Sequence, residues 1–227
     1  MITPTPFTPE APPTTGLDLW LVDTAAHAAW ASALGDSVLS TAERARAAGF
    51  HREDDRRDYV VSHVALRVVL GARTGVRPAA VAFTRAACPG CGGPHGRPEL
   101  ADGAAEFSLS HARGAALVAV AAGVVGADVE LLPAADVLAD LTTALHPREQ
   151  QELALLPTEG RPAAFTRAWS RKESYLKALG TGLSRDPAAD YLGTGPAPAA
   201  LPGWTVADVA VPEGYRAAVT VRAAAGA

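Results

Sequence analysis

The chain has 227 residues, 48% hydrophobic and 19% charged, with a formal net charge of −4. That length can build a real core, in one large domain or two small ones. The charge offers no global basic field to nucleic acid or an anionic membrane, so any anion site must be local.

Residues 1–15, rich in proline and threonine, have neither the basic start nor the apolar stretch of a signal peptide. They read as a flexible lead-in. No apolar run reaches the ~18 residues of a membrane span, and two cysteines make no disulfide framework. A cytoplasmic protein is expected.

Gly16 to Asp23 mixes apolar and acidic residues at roughly period two and reads as the first strand. Thr24 to Gly35 suits a short alanine-rich helix. Ser40, with Glu43 three residues on, is a capping box opening a helix that Gly49 interrupts. The charged stretch His51 to Asp58 runs into a helix with Tyr59, His63, Leu66 and Leu70 in register, closed by Gly71. On its own, Arg57 reads as a solvated charge offset by Asp54 or Asp58, and His63 as a half-buried histidine.

Val81 to Arg85 is a short strand. The loop after it holds Cys88, Cys91 and His95. Structural zinc wants four N/S ligands and only three appear. A thioredoxin-like redox pair would open a helix, whereas proline and glycine follow here. The stretch reads first as a glycine-rich turn.

Glu106 to Ser110 forms a strand leading into His111. The runs Ala115 to Ala121 and Val124 to Leu132 suggest an antiparallel hairpin across Gly123. Within the second run, Asp128 and Glu130 alternate with Val129 and so share one face. Two carboxylates on one face of an apolar strand repel each other and call for a cation. His146 to Glu149 opens another helix, stopped by Pro157.

Next comes the stretch that organises the rest. Arg161-Pro162 suits a helix start and Gly180 its end. Between them Phe165, Trp169, Leu176 and Leu179 form an apolar stripe. Glu173 and Lys177 are four apart and share a face; as a surface ion pair they would contribute only ~0.3–0.5 kcal/mol. Two further strands, Trp204 to Val211 and Tyr215 to Val221, end the chain. Both halves run helix, charged connection, longer helix ending in Leu-Gly, then strands, with a boundary near Gly123.

Asp128, Glu130 and Glu173 are three hard oxygen donors with no nearby cysteine or histidine, which suits Mg²⁺ or Mn²⁺ better than zinc. Lys172, Lys177, Arg57 and His111, with Arg97, could converge on phosphate oxygens. A metal and clustered cations around a diphosphate describe phosphoryl-type transfer. The chain contains no Walker A loop, GxGxxG or GxSxG.

Gly126-Ala127-Asp128-Val129-Glu130, followed by Trp169-Ser170-Arg171-Lys172-Glu173-Ser174-Tyr175-Leu176-Lys177, resembles the paired hallmark of the Sfp-type 4′-phosphopantetheinyl transferases. FHREDDRRD, GRP and FSLSHA resemble that family's N-terminal pieces, in order, so the likeness spans roughly residues 40 to 185.

The resemblance implies an α/β (α+β) fold of two pseudo-duplicated halves, 16–122 and 123–227. Each half would be a small antiparallel-rich sheet with a long packed helix, and coenzyme A would bind between them. It implies transfer of phosphopantetheine from coenzyme A to a serine of an apo acyl or peptidyl carrier protein, leaving adenosine 3′,5′-bisphosphate. By position Asp128, Glu130 and Glu173 match the Mg²⁺ ligands, Lys177 the lysine at the coenzyme A phosphates, Arg57 and Ser110-His111 groups at the 3′-phosphate end, and Arg97 a basic residue near the nucleotide. The base is Glu173 or a metal-held water.

The sequence departs from the family pattern at Ala112, which lacks a hydroxyl, and at Thr181, often lysine there. Its early basic residues are thinned to Arg44 and Arg46. A monomer is the family expectation. Peptide-synthetase, polyketide and fatty-acid carriers are all open as partners, and free and acylated coenzyme A as donors. Two other readings compete: a non-catalytic coenzyme A- or nucleotide-binding module, and a zinc-binding interaction protein using Cys88, Cys91 and His95.

Overall fold

A computed structural model describes residues 16–94 and 96–223. The lead-in at 1–15 and His95, the third ligand of the zinc reading, lie outside the described residues. In chain order the elements are β1 (Leu17–Asp23), α1 (Ala28–Val38), α2 (Thr41–Ala48), α3 (Glu53–Thr74), β2 (Phe83–Arg85), β3 (Pro98–Leu100), β4 (Glu106–Ala112), β5 (Ala115–Ala121), β6 (Val125–Leu131), α4 (Leu138–Thr142), α5 (Pro147–Leu155), α6 (Arg161–Leu179), β7 (Trp204–Val209) and β8 (Tyr215–Arg222).

Two three-stranded antiparallel sheets, β1-β5-β4 and β6-β8-β7, form the frame, and β2-β3 is a separate ribbon. Side-chain alternation then assigns the layers. Leu117 and Ala119 of β5 join Val125, Ala127 and Val129 of β6 and Val219 and Val221 of β8 in one core between the sheets. The intervening residues of β5 point the other way. Ala116 meets Val61 and Val64 of α3, and Val118 and Val120 meet Leu66 and Leu70. On the far side α6 lies against β6 and β8. The order is helix, sheet, sheet, helix, each half contributing one sheet and one long helix.

The hairpin expected across Gly123 does not form. β5 already has β1 on one edge and β4 on the other, so it has no free edge for β6, which pairs with β8 instead. The chain crosses between sheets at 122–124. The Ser108 hydroxyl of β4 accepts the N–H of Ala127 in β6 at 2.9 Å.

The second correction concerns Gly71. The helix continues past it to Thr74 and is capped by Gly75, in the left-handed region at φ 72. Gly71 is instead a point of close approach: a Cβ there would stand 2.6 Å from the Val76 carbonyl oxygen.

The long helix α6 begins and ends as its sequence predicts, with proline in its first turn and Gly180 at φ 74 as its cap. The Ser40–Glu43 capping box is formed in both directions.

Candidate active site

Outward-facing residues of β6 alternate with the buried core ones. Gly126, Asp128 and Glu130 therefore face α6. With no side chain at Gly126 the helix comes in close, and the Ser174 hydroxyl hydrogen-bonds that of Thr220 at 2.8 Å. This approach brings Lys177 onto Asp128: its ammonium donates to Asp128 Oδ1 at 2.6 Å and to the Ala127 carbonyl at 3.2 Å. The lysine's hydrogen-bonded carboxylate is therefore Asp128, across the interface, rather than Glu173 on its own helix.

Ser110, at the end of β4, donates to the same Asp128 oxygen at 2.8 Å. The other oxygen, Oδ2, is buried and has no hydrogen-bond partner among the described residues. A buried orphan carboxylate oxygen is rare enough to need an occupant.

Glu130 and Glu173 both feel the Asp128 charge, and Glu130 that of Glu173 as well. Burial raises the proton affinity of Glu130 first, the Asp128 carboxylate second, so that its pKa is pushed up to about 7; Lys177 opposes this. Glu173 is raised for the same two reasons, again against Lys177. Among the described residues no three His, Cys, Asp or Glu side chains close into a ready metal cage. Crowded carboxylates with only one ammonium between them have no reason to close further.

This arrangement has a pH signature. The folded-state pKa of Glu130 lies above its unfolded value of 4.5. Between those values the folded chain holds the extra proton, so this contribution is complete below about 4.5 and is lost as pH rises through about 7. In EDTA, the urea midpoint should fall across that window, and Glu130→Gln should flatten the slope. An unchanged slope in the variant would refute the assignment.

The other cations divide. Arg57 donates to Asp54 at 2.7 Å and to Asp58 at 3.1 and 3.2 Å. Both acids suggested by the sequence hold it at once. Asp58, buried, is the pivot: it also accepts the Thr24 hydroxyl and the Gly114 N–H. His111 keeps an exposed surface. Desolvation by the surrounding protein, and then the Lys177 charge, hold its proton affinity below the ordinary histidine value, while Asp58 acts in the opposite sense. Arg57, Asp58, His111 and Lys177 are thus electrostatically linked, with His111 between the Asp58 and Lys177 charges.

Arg97 pairs with Glu106 at 2.9 Å and Glu99 at 3.2 Å. It lines a cleft of about 350 Å³ shared with Ser108, Lys177, Gly180 and Thr181. The Thr181 hydroxyl, where the resembling family often has lysine, is another buried oxygen without a hydrogen-bond partner among the described residues.

Lys172 is not brought to this group. Its ammonium is buried and held by Glu149 at 2.8 Å and by the carbonyls of Pro187 and Asp190. Sequence reasoning missed Glu149, whose place in a capping box with His146 gave it a sufficient local role. It also missed Asp58 as a pivot, although its position directly after Arg57, at the edge of the apolar run, was a signal.

Comparison with known proteins bears on the family. A family model described as the 4′-phosphopantetheinyl transferase superfamily matches residues 124–200, which hold Asp128, Glu130, Glu173 and Lys177. The 4′-phosphopantetheinyl transferase HetI of Nostoc sp. is 34% identical over 194 residues, covering 82% of this chain and 79% of the relative. The Synechocystis sp. protein slr0495, named for the same activity, is 31% identical over 153 residues, covering 65% of this chain and 59% of its own length. With likeness of that extent running through both halves, the chain belongs to the 4′-phosphopantetheinyl transferase superfamily.

Proposed function

We propose that the protein transfers 4′-phosphopantetheine from coenzyme A to the serine hydroxyl of an apo acyl or peptidyl carrier protein, using Mg²⁺, with Mn²⁺ as a substitute, and releasing adenosine 3′,5′-bisphosphate. The observation that carries this reading is the unpartnered Asp128 oxygen, buried beside Glu130 and Glu173 and within reach of Lys177. Three hard carboxylates fit a hard divalent ion. Asp128, Glu130 and Glu173 would hold it. Mg²⁺ bound there would neutralise the pyrophosphate as the leaving phosphate gains charge.

The remaining steps belong to side chains. Lys177, released from Asp128, turns its ammonium to the phosphates. Arg57, fixed by Asp58, and Ser110 with His111 take the 3′-phosphate end, and Arg97 the nucleotide side. The nucleophile arrives on the carrier. Glu173, with its raised proton affinity, accepts the serine proton directly or through a water. In this scheme residues 16–122 supply nucleotide and carrier contacts and 123–227 the metal site and catalytic helix. The protein works as a monomer in the cytoplasm; among the described residues no helix is long and apolar enough to cross a membrane.

The test is the intact mass of an apo carrier after incubation with the protein, coenzyme A and Mg²⁺. A gain of one phosphopantetheine is expected, lost with EDTA and in Glu173→Ala. Lys177→Ala should slow transfer by about 10²–10³-fold. No gain on acyl or peptidyl carriers, together with no calorimetric binding of coenzyme A, would end the reading.

A further inference from the structure

The turn Cys88-Pro89-Gly90-Cys91 has no role in the transfer scheme. It closes on itself between β2 and β3: the Cys88 N–H donates to the Gly93 carbonyl and the Gly92 N–H to the Cys88 carbonyl, both at 2.7 Å. Gly92 sits at φ +73. The turn folds inward on one sulfur. The backbone N–H groups of Cys91 and Gly90 point at Cys88 Sγ, and the Cys91 side chain hydrogen-bonds it as well. All three hold the Cys88 thiol below its ordinary proton affinity, with Cys91 N–H contributing most.

In a thioredoxin-like protein a helix start supplies those N–H groups. Here a tight turn supplies them, so the proline and glycine that argued against a redox pair in the sequence create the same local field. The Gly92 N–H to Cys88 carbonyl bond closes residues 88–92 as one helical-type turn, in which residues three apart stand ~5–6 Å apart, inside the range a disulfide spans. Cys88 is partly exposed and Cys91 exposed. Cys88 also lines the cleft with Arg97, Lys177 and Thr181.

We propose that Cys88 and Cys91 form a reversible thiol–disulfide pair in the wall of this cleft, oxidised by a low-molecular-weight disulfide. The Cys88 thiolate attacks one sulfur of the small disulfide, whose S–S bond breaks and releases one thiolate. The Cys91 thiolate then attacks the Cys88 sulfur of the mixed disulfide and releases the second. Two protein thiols are oxidised, one small disulfide is reduced, and the two protons pass to the released thiolates. A pair of this kind in a reducing compartment is transient and responsive rather than structural.

The test exposes the full chain to excess glutathione disulfide, then alkylates it and reads the intact mass. The expected product carries no alkyl group on either cysteine, has lost two hydrogens and returns to the dithiol with dithiothreitol. Cys91→Ser should stop at one glutathione on Cys88. Cys88→Ser should react at least about tenfold more slowly, having lost the sulfur that the turn activates. Full alkylation of both cysteines after oxidant would overturn the proposal. So would protection of both thiols that a chelator removes, which would assign the turn to a metal. Because the readout is mass and not transfer, either result leaves the transferase reading to its own test.

Discussion

Gly126→Ala should destabilise the protein by about 3 kcal/mol, at the upper end for an overpacked core, and should remove transfer activity with it. The residue sits on the face of β6 that meets α6. A Cβ there would meet the Ser174 carbonyl oxygen and stand 2.5 Å from Ala178 N and 3.1 Å from Ala178 Cα. All three are backbone atoms of a buried helix, so no side chain can swing aside. Either α6 lifts off β6 or its hydrogen bonding breaks. Lifting the helix would part Lys177 from Asp128 and widen the carboxylate group that the site depends on. Urea denaturation measures the first effect and carrier mass the second. Gly123→Ala is the control: nothing lies within 4 Å of its Cβ position, and its change should stay within about 0.5 kcal/mol. Equal stability of the two variants would show that the close approach is not what sets the helix.

Local chemistry explains what the sequence could reveal. A capping box, a proline in a first turn and a left-handed glycine cap act within a few residues, so the start of α2 and both ends of α6 were readable. Strand alternation acts within three residues, so the shared face of Asp128 and Glu130 was readable too. Partner choice acts at a distance. Nothing local in Ala115 to Ala121 says that β1, nearly a hundred residues earlier, takes the edge that a hairpin with β6 would use. Gly71 looked like a cap because a cap and a close approach both select glycine; only the position of Val76 separates them. Asp58 was legible as a partner of Arg57 but not as the acceptor of Thr24 and Gly114, which arrive from other elements.

Lys172 shows the same limit and leads to the other large effect expected. On a helix, adjacent residues point ~100° apart, so Lys172 and Glu173 cannot share a direction. Which of them meets the site depends on what covers α6, and Lys172 is covered by α5 and the 187–193 segment. Its ammonium is enclosed with Glu149, whose Oε1 accepts the N–H groups of Leu192 and Gly193 at 2.8 and 3.1 Å and whose Oε2 accepts His146 N–H at 3.0 Å. Burial lowers the lysine's proton affinity and the Glu149 carboxylate raises it.

Lys172→Met would leave that carboxylate charged and buried with only neutral donors, and two carbonyls without their cation. The expected loss is about 3–5 kcal/mol, the magnitude for breaking a buried pair from one side. A surface pair such as Arg52 with Asp55 would cost under ~1 kcal/mol. Glu149→Gln keeps one acceptor oxygen but sets an amide donor against the other N–H groups, and it leaves the Lys172 ammonium without its counter-charge, so it should cost a similar amount. Urea midpoints separate these from a direct role at phosphate. If Lys172 bound coenzyme A, Lys172→Met would keep near-normal stability and lose affinity by calorimetry. The expected result is the reverse: a large fall in midpoint, with coenzyme A still bound by the fraction that remains folded.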